Sequence, residues 1–394
     1  MVLLWKLIRL IGNGIFMLLV FLFVADPTNT ILGLKMPLFA LLLLYSLLFF
    51  KADWKKIVYF LLPVSAVTVS LVLAMMQGHH VDMEELKAVY IAFTPLLLLM
   101  WAHHYDIVRL SVFPVTLAAI IVISLFWTIF IYPDTEVYIY TYMTSHGDTI
   151  MMSHRDILGM SFFCMYPKST VAFLPVFGYV LYKSLTKGKR TFWIILSMLL
   201  IFHMFVISGT RSSVLFPILL LGTMMFVYCR NGRLARYIIY PGAFLFFVLF
   251  CFLLVTLLME TDEASNLVKY AHLNSYKNLF ETNPQYLLLG QGPATEFYSE
   301  GFRKMTIETE WTYIELLRNY GIMCLPILYV ILYPAFVLFK QSKKHDDALA
   351  MALTYVVYLV IAGTNPLLLS STGMLVLLSA YSYAESVKKR CQFG

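Results

Sequence analysis

Apolar residues along this chain gather in long runs, broken by short polar stretches. A helix needs about 20 apolar residues to cross the roughly 30 Å hydrocarbon layer of a membrane. On that scale the pattern predicts twelve spans, at about 8–25, 32–50, 57–76, 88–102, 110–132, 160–182, 192–207, 213–229, 237–259, 312–339, 348–363 and 367–384. The first run reads as a retained span, because no small-residue cleavage site precedes Asp26-Pro27. The predicted fold class is therefore an all-α polytopic membrane protein, a single integral domain over residues 1–394. Two connections are too long to be turns. They are a smaller loop at 133–159 and a larger one at 260–311, and long loops in an economical chain tend to carry function.

Composition sharpens this picture. Hydrophobic residues are 60% of the chain and charged ones 13%, whereas soluble domains carry roughly 25% charged residues. That excludes a soluble enzyme, a disordered protein and a secreted disulfide domain. The net charge of +7 raises nucleic acid as a partner, but the cations form short clusters with no basic face or recognition motif, so nucleic acid is set aside. Lys and Arg concentrate on cytoplasmic loops. With both termini cytoplasmic, 19 of the 29 basic residues and 5 of the 22 acidic ones lie inside, leaving +14 inside and −7 outside. Arg155, Arg211, Arg303 and Arg318 then stand on the outer side, against that bias. An ionisable group at membrane depth is costly unless paired, which makes these arginines functional candidates. The five cysteines show no CxxC spacing and read as packing residues.

Four constellations carry candidate chemistry. Ser208-Gly209-Thr210-Arg211-Ser212-Ser213 is a short outer hairpin whose hydroxyls and guanidinium suit a phosphate. Its plainer reading is a snorkelling arginine with helix-capping serines. Leu289-Gly290-Gln291-Gly292-Pro293 lacks the context of a nucleotide fingerprint and reads as a tight turn. In the segment from Glu308 to Ile322, a helix would put Glu308, Trp311 and Glu315 on one side and Glu310 at the mouth of the span. A carboxylate partly withdrawn from water there is suited to general base work, and interfacial capping of a helix start is the alternative. Finally, Ser145-His146-Gly147-Asp148 and Ser153-His154-Arg155-Asp156 read as solvated loop residues rather than a metal site.

Taken in order, Arg155-x-x-x-Gly159 with Pro167, the hairpin at Arg211, Leu289-Gly290-x-Gly292, and the stretch from Glu310 to Ile322 resemble the motifs of the O-antigen ligase/polymerase superfamily. The resemblance covers about residues 150–325. Glu310 stands where the ligases keep His, and Trp311 where they keep Asn, while Ile314, Leu317, Gly321 and Ile322 match the remaining positions. That departure favours the polymerase (Wzy-type) branch. The resemblance implies a GT-C-like inner-membrane glycosyltransferase that is inverting and uses neither metal nor other cofactor. Its donor would be linked to undecaprenyl diphosphate and its site would face the periplasm. Glu310 and Arg211 would then be catalytic, with Arg155, Arg303, Arg318, Gly290, Gly292 and Tyr313 binding diphosphate or sugar. Tyr286, Phe297 and Tyr298 would stack on sugar rings, and a polysaccharide chain-length regulator is a further expected partner. The alternatives are a ligase that uses lipid A–core as acceptor and, in a different class, a lipid-linked oligosaccharide flippase.

Overall fold

The fold is known from a computed structural model, which describes residues 2–157, 160–186, 192–229, 264–363 and 367–393, together with Gly242. The span expected over 237–259 lies, but for Gly242, outside the described residues, as do Gly159 and the side chains of Arg155 and Arg211.

The chain is mostly helical, and among the described residues four helices are long and apolar enough to cross a membrane. These are Leu3–Ala25, Trp54–Met76, Ile107–Ile131 and Thr312–Gln341. In chain order the helices are α1 (Val2–Ala25), α2 (Lys35–Phe49), α3 (Val58–Met76), α4 (Met83–Phe93), α5 (Ile107–Ile131) and α6 (Glu136–Ser145). Then come α7 (Phe173–Thr186), α8 (Phe192–Ile207), α9 (Arg211–Cys229), α10 (Ala264–Thr282) and the single turn α11 (Tyr286–Leu289). The last four are α12 (Thr312–Tyr320), α13 (Cys324–Gln341), α14 (Asp346–Ala362) and α15 (Ser371–Phe393). α1 packs on α5, α5 on α8, and α14 against α7, α9 and α13. Their facing sides form one large apolar core, while leucines such as Leu10, Leu44 and Leu48 stay exposed on the outside of the bundle. Outward-facing leucines at this density are what a helix presents to lipid. Pro63, Pro114, Pro217 and Pro334 sit inside helices, where neighbouring helices can satisfy the freed carbonyls.

Two features depart from the predicted pattern. The span expected at 88–102 divides into α4 and a 3₁₀ stretch over Thr94–Trp101, because Pro95 lacks the amide that would continue the α ladder. The smaller loop and the start of the next expected span are also not simply coil and helix. Strands β1 (Ile150–Ile157) and β2 (Met160–Pro167) form an antiparallel hairpin, with Arg155 opposite Phe162. A second hairpin pairs β3 (Phe297–Ser299) with β4 (Lys304–Thr306) inside the larger loop. The fold is thus mostly helical, compatible with the predicted all-α class, and carries two small hairpins.

Candidate active site

At one end of the bundle α1 finishes, α2 and α4 begin, and α12 and α15 start. Their ends enclose a cavity of about 500 Å³. The lining mixes apolar side chains, among them Phe23, Met36, Phe39, Val89 and Leu316, with the polar groups of Glu85, Glu308, Glu315 and Asn319. Lys35 is the one lysine or arginine among the described lining residues. Such a volume, apolar with a few converging polar groups, lies in the range of small-ligand sites.

The polar part of the lining rests on Arg318. Its side chain is 0% exposed, so every one of its five N–H donors must find an acceptor within the protein. Nε donates to Glu315 Oε1 at 2.9 Å, Nη1 to Gln291 Oε1 at 2.7 Å and Thr295 O at 3.1 Å, and Nη2 to Ile307 O at 2.7 Å and to Glu315 Oε1. The guanidinium carbon also lies 4.4 Å from the centroid of the Phe297 ring. Glu315, 8% exposed, accepts from Tyr276 Oη through its other oxygen. Because the single phenol proton is used there, the Thr309 hydroxyl donates in turn to Tyr276 Oη at 2.5 Å. Burial next to the Glu315 carboxylate pushes the Tyr276 phenol well above its ordinary value, so it stays a donor. The ion pair is buried and its hydrogen bonding is complete, the condition under which such a pair holds its place.

The glycine motif is fastened to the same helix. The amides of Gln291 and Gly292 donate to the carbonyls of Arg318 (2.7 Å) and Asn319 (3.1 Å), which caps the open end of α12. Gly290 and Gly292 have φ of +76° and +115°. A Cβ on Gly290 would lie 2.6 Å from Asn319 O, and one on Gly292 would lie 2.2 Å from the Cβ of Ala74. Both are therefore required by close approach and by the left-handed backbone.

Glu308 sits where the loop returns to α12. It lines the cavity and is itself exposed, with protein packed around enough of its carboxylate to weaken its hydration. Desolvation, reinforced by Glu315 and Glu85 and opposed by Arg318, raises its pKa from 4.5 to about 7. That places a proton acceptor near neutral pH inside the cavity.

The residues singled out in the sequence are distributed differently from the pattern-based expectation. Glu308 and Glu315 do share the cavity wall, although the helix begins only at Thr312 and Glu308 precedes it. Glu310 does not line the cavity. It pairs with Lys269 at 3.1 Å, and Trp311 Nε1 donates to Lys269 O at 3.0 Å, so both residues dock α10. Arg318 has all its donors committed within the protein and holds none out towards the cavity. Tyr313 donates to Leu359 O at 2.8 Å and packs on Gly363, which joins α12 to α14. Arg303 is exposed, with φ of +53°, in the turn between β3 and β4.

In the hairpin, the Thr210 hydroxyl accepts from the Ser213 amide at 3.2 Å and caps α9, while Ser208 donates to Phe205 O at 2.6 Å. Gly209, at φ +58°, lets the turn press on Cys164 of β2. Of the three aromatics expected to meet sugar, Phe297 is buried under Arg318 and Tyr286 is buried beside His79, with 3.2 Å between Oη and Nε2. Only Tyr298 is exposed. Sequence reasoning missed Lys35, Glu85 and Asn319, which come from three different helices. Asn319 follows Arg318 directly and was legible only as part of the motif.

No protein-family model, curated protein or solved structure matches the chain.

Proposed function

We propose that the protein is a surface-polysaccharide polymerase that joins glycans carried on undecaprenyl diphosphate. It would be a bacterial inner-membrane protein of twelve spans and GT-C-like architecture, with cytoplasmic termini and a periplasmic site. The observation that supports the reading most is the cavity at the end of the bundle. It combines apolar lining that suits a lipid-linked substrate with a carboxylate held near neutral pKa. In the reaction, the acceptor hydroxyl oxygen attacks the anomeric carbon of the donor from the face opposite the diphosphate. The carbon–oxygen bond to the diphosphate breaks, its electron pair leaves with undecaprenyl diphosphate, and the configuration inverts. The hydroxyl proton passes to Glu308. The acceptor role that the motif gave to Glu310 thus moves two residues along the chain. Arg211, with Arg155, is assigned to the negative charge that grows on the leaving diphosphate. The transport alternative draws no support from a cavity confined to one end of the bundle.

The test is lengthening of undecaprenyl-diphosphate-linked repeats by the reconstituted protein. Arg211→Ala and Glu308→Gln should each leave single repeats unextended while the protein still inserts. Transfer to lipid A–core alone would replace the polymerase reading with ligase, and movement across the bilayer without lengthening would replace it with flippase.

A further inference from the structure

The cavity's charged lining is lopsided, and this narrows the sugar it can take. Three of its hydroxyl donors are already engaged within the protein: Thr94 to Ile91 O at 2.8 Å, Ser370 to Leu367 O at 2.7 Å and Thr309 to Tyr276 at 2.5 Å. The Lys35 ammonium donates to Pro27 O at 2.5 Å and lies 5.3 Å from the Phe23 ring centroid. The acceptors are less fully engaged. Asn319 is 9% exposed and its Oδ1 has no partner, although its amide nitrogen donates to Glu315 at 3.3 Å. An acceptor buried without a partner is costly, and Asn319 brings that cost to the edge of the cavity. Among the described residues no hydrogen bond or ion pair engages the carboxylates of Glu85 or Glu308, which both line the same space.

The charges point the same way. Arg318 neutralises Glu315 from behind, while Lys35, the one lysine or arginine in the described lining, has Asp26 as its charged neighbour. Glu85 and Glu308 are thus left without an ion-pair partner among the described residues, and an anion brought beside them is repelled.

We infer that this cavity selects an acceptor sugar carrying no negative charge, bound through its hydroxyl or amine donors to Asn319, Glu85 and Glu308, and that it excludes acidic sugars such as uronates. The inference rests on reading the cavity as the acceptor site. Glu85 is the specificity-determining residue, because it adds charge at the wall without standing where the proton is taken.

The test is equilibrium binding of three soluble probes to the full chain in nanodiscs: a neutral hexose trisaccharide, a glucosamine trisaccharide with free amines, and a galacturonate trisaccharide. The first two should bind roughly tenfold or more tightly than the third. Glu85→Gln should narrow that gap several-fold by improving galacturonate binding. Glu84→Gln, on the neighbouring residue outside the lining, should leave the gap unchanged. Equal or tighter binding of galacturonate, no binding of any probe, or a gap indifferent to Glu85→Gln would each overturn the inference. Binding and lengthening are read separately. Selective binding without polymerisation would retire the polymerase reading alone, and polymerisation with equal tolerance of acidic sugars would retire the selectivity alone.

Discussion

Replacing Arg318 with Met keeps the length of the side chain and removes its charge and all five donors. Four acceptors then lose their partner: Glu315 Oε1, Gln291 Oε1, Thr295 O and Ile307 O. Of these the carboxylate dominates, because it stays buried with only Tyr276 and Asn319 to solvate it. Breaking a buried ion pair from one side costs about 3–5 kcal/mol. The three neutral acceptors would add about 1–3 kcal/mol each if none relaxed. Those terms are not additive, since Gln291 can turn and the loop can admit water, so a total of about 4–6 kcal/mol is expected. That is a large share of the roughly 5–15 kcal/mol that holds an ordinary domain together. The assay is thermal unfolding of the purified protein in micelles, followed by near-ultraviolet circular dichroism. A drop in Tm on the order of 10 °C is expected. The partner variant Glu315→Gln, and the double variant, complete the cycle. The double variant should lose less than the sum of the singles by about 1–3 kcal/mol, because no charge is then stranded. A drop below about 2 °C for Arg318→Met, or strict additivity in the cycle, would refute the account of Arg318 as the buried tie of this site.

Other expected outcomes follow from single residues. Because folding raises the Glu308 pKa from 4.5 to about 7, the folded state binds more protons than the unfolded one in that interval. Stability should therefore fall as pH rises from about 4.5 to 7, and pH-titrated unfolding of Glu308→Gln should show a flatter curve. In the lengthening assay, activity should rise with pH through about 7, and Glu308→Gln should lose that limb; a profile unchanged by the substitution removes the base role. Glu310→Gln should keep most of the activity and cost at most about 1 kcal/mol, since it breaks only a half-exposed pair with Lys269. Equal loss in both variants would return the base to Glu310. Gly292→Ala should destabilise the fold by about 2 kcal/mol or more, through its left-handed backbone and its clash with Ala74. Gly14→Ala, where a Cβ meets nothing within 4 Å in the middle of α1, should be neutral or stabilise by up to about 1 kcal/mol in the same melt.

Much of the helical frame was legible from the chain because a run of apolar residues has few options in lipid. The four helices long and apolar enough to cross a membrane fall where the pattern predicted. The hairpin at Ile150–Pro167 was not legible, since Phe162, Phe163 and Cys164 belong equally well to a strand or to the start of a span. Periodicity cannot separate short apolar strands from helix. In the site, Arg318 and Glu315 were visible as charges three residues apart near the membrane, and the glycines as a turn. Their relation was not, because Gln291, Thr295 and Tyr276 reach Arg318 and Glu315 only through the folding of the larger loop. The choice between Glu308 and Glu310 was likewise invisible. Both acids flank Thr309, and only Lys269, some forty residues upstream, draws Glu310 away from the cavity.

The direction of synthesis gives the Arg318 tie a further meaning. The partners that satisfy its guanidinium, Gln291, Thr295, Phe297, Ile307 and Glu315, all precede it in the chain. When Arg318 leaves the ribosome at the head of a long apolar helix, every group it needs has already been made. The larger loop can therefore act as a receiver that waits for the arginine. A membrane segment bearing a charge that would resist burial on its own is then drawn into place by the soluble structure ahead of it. For this one side chain every partner has been synthesised before it.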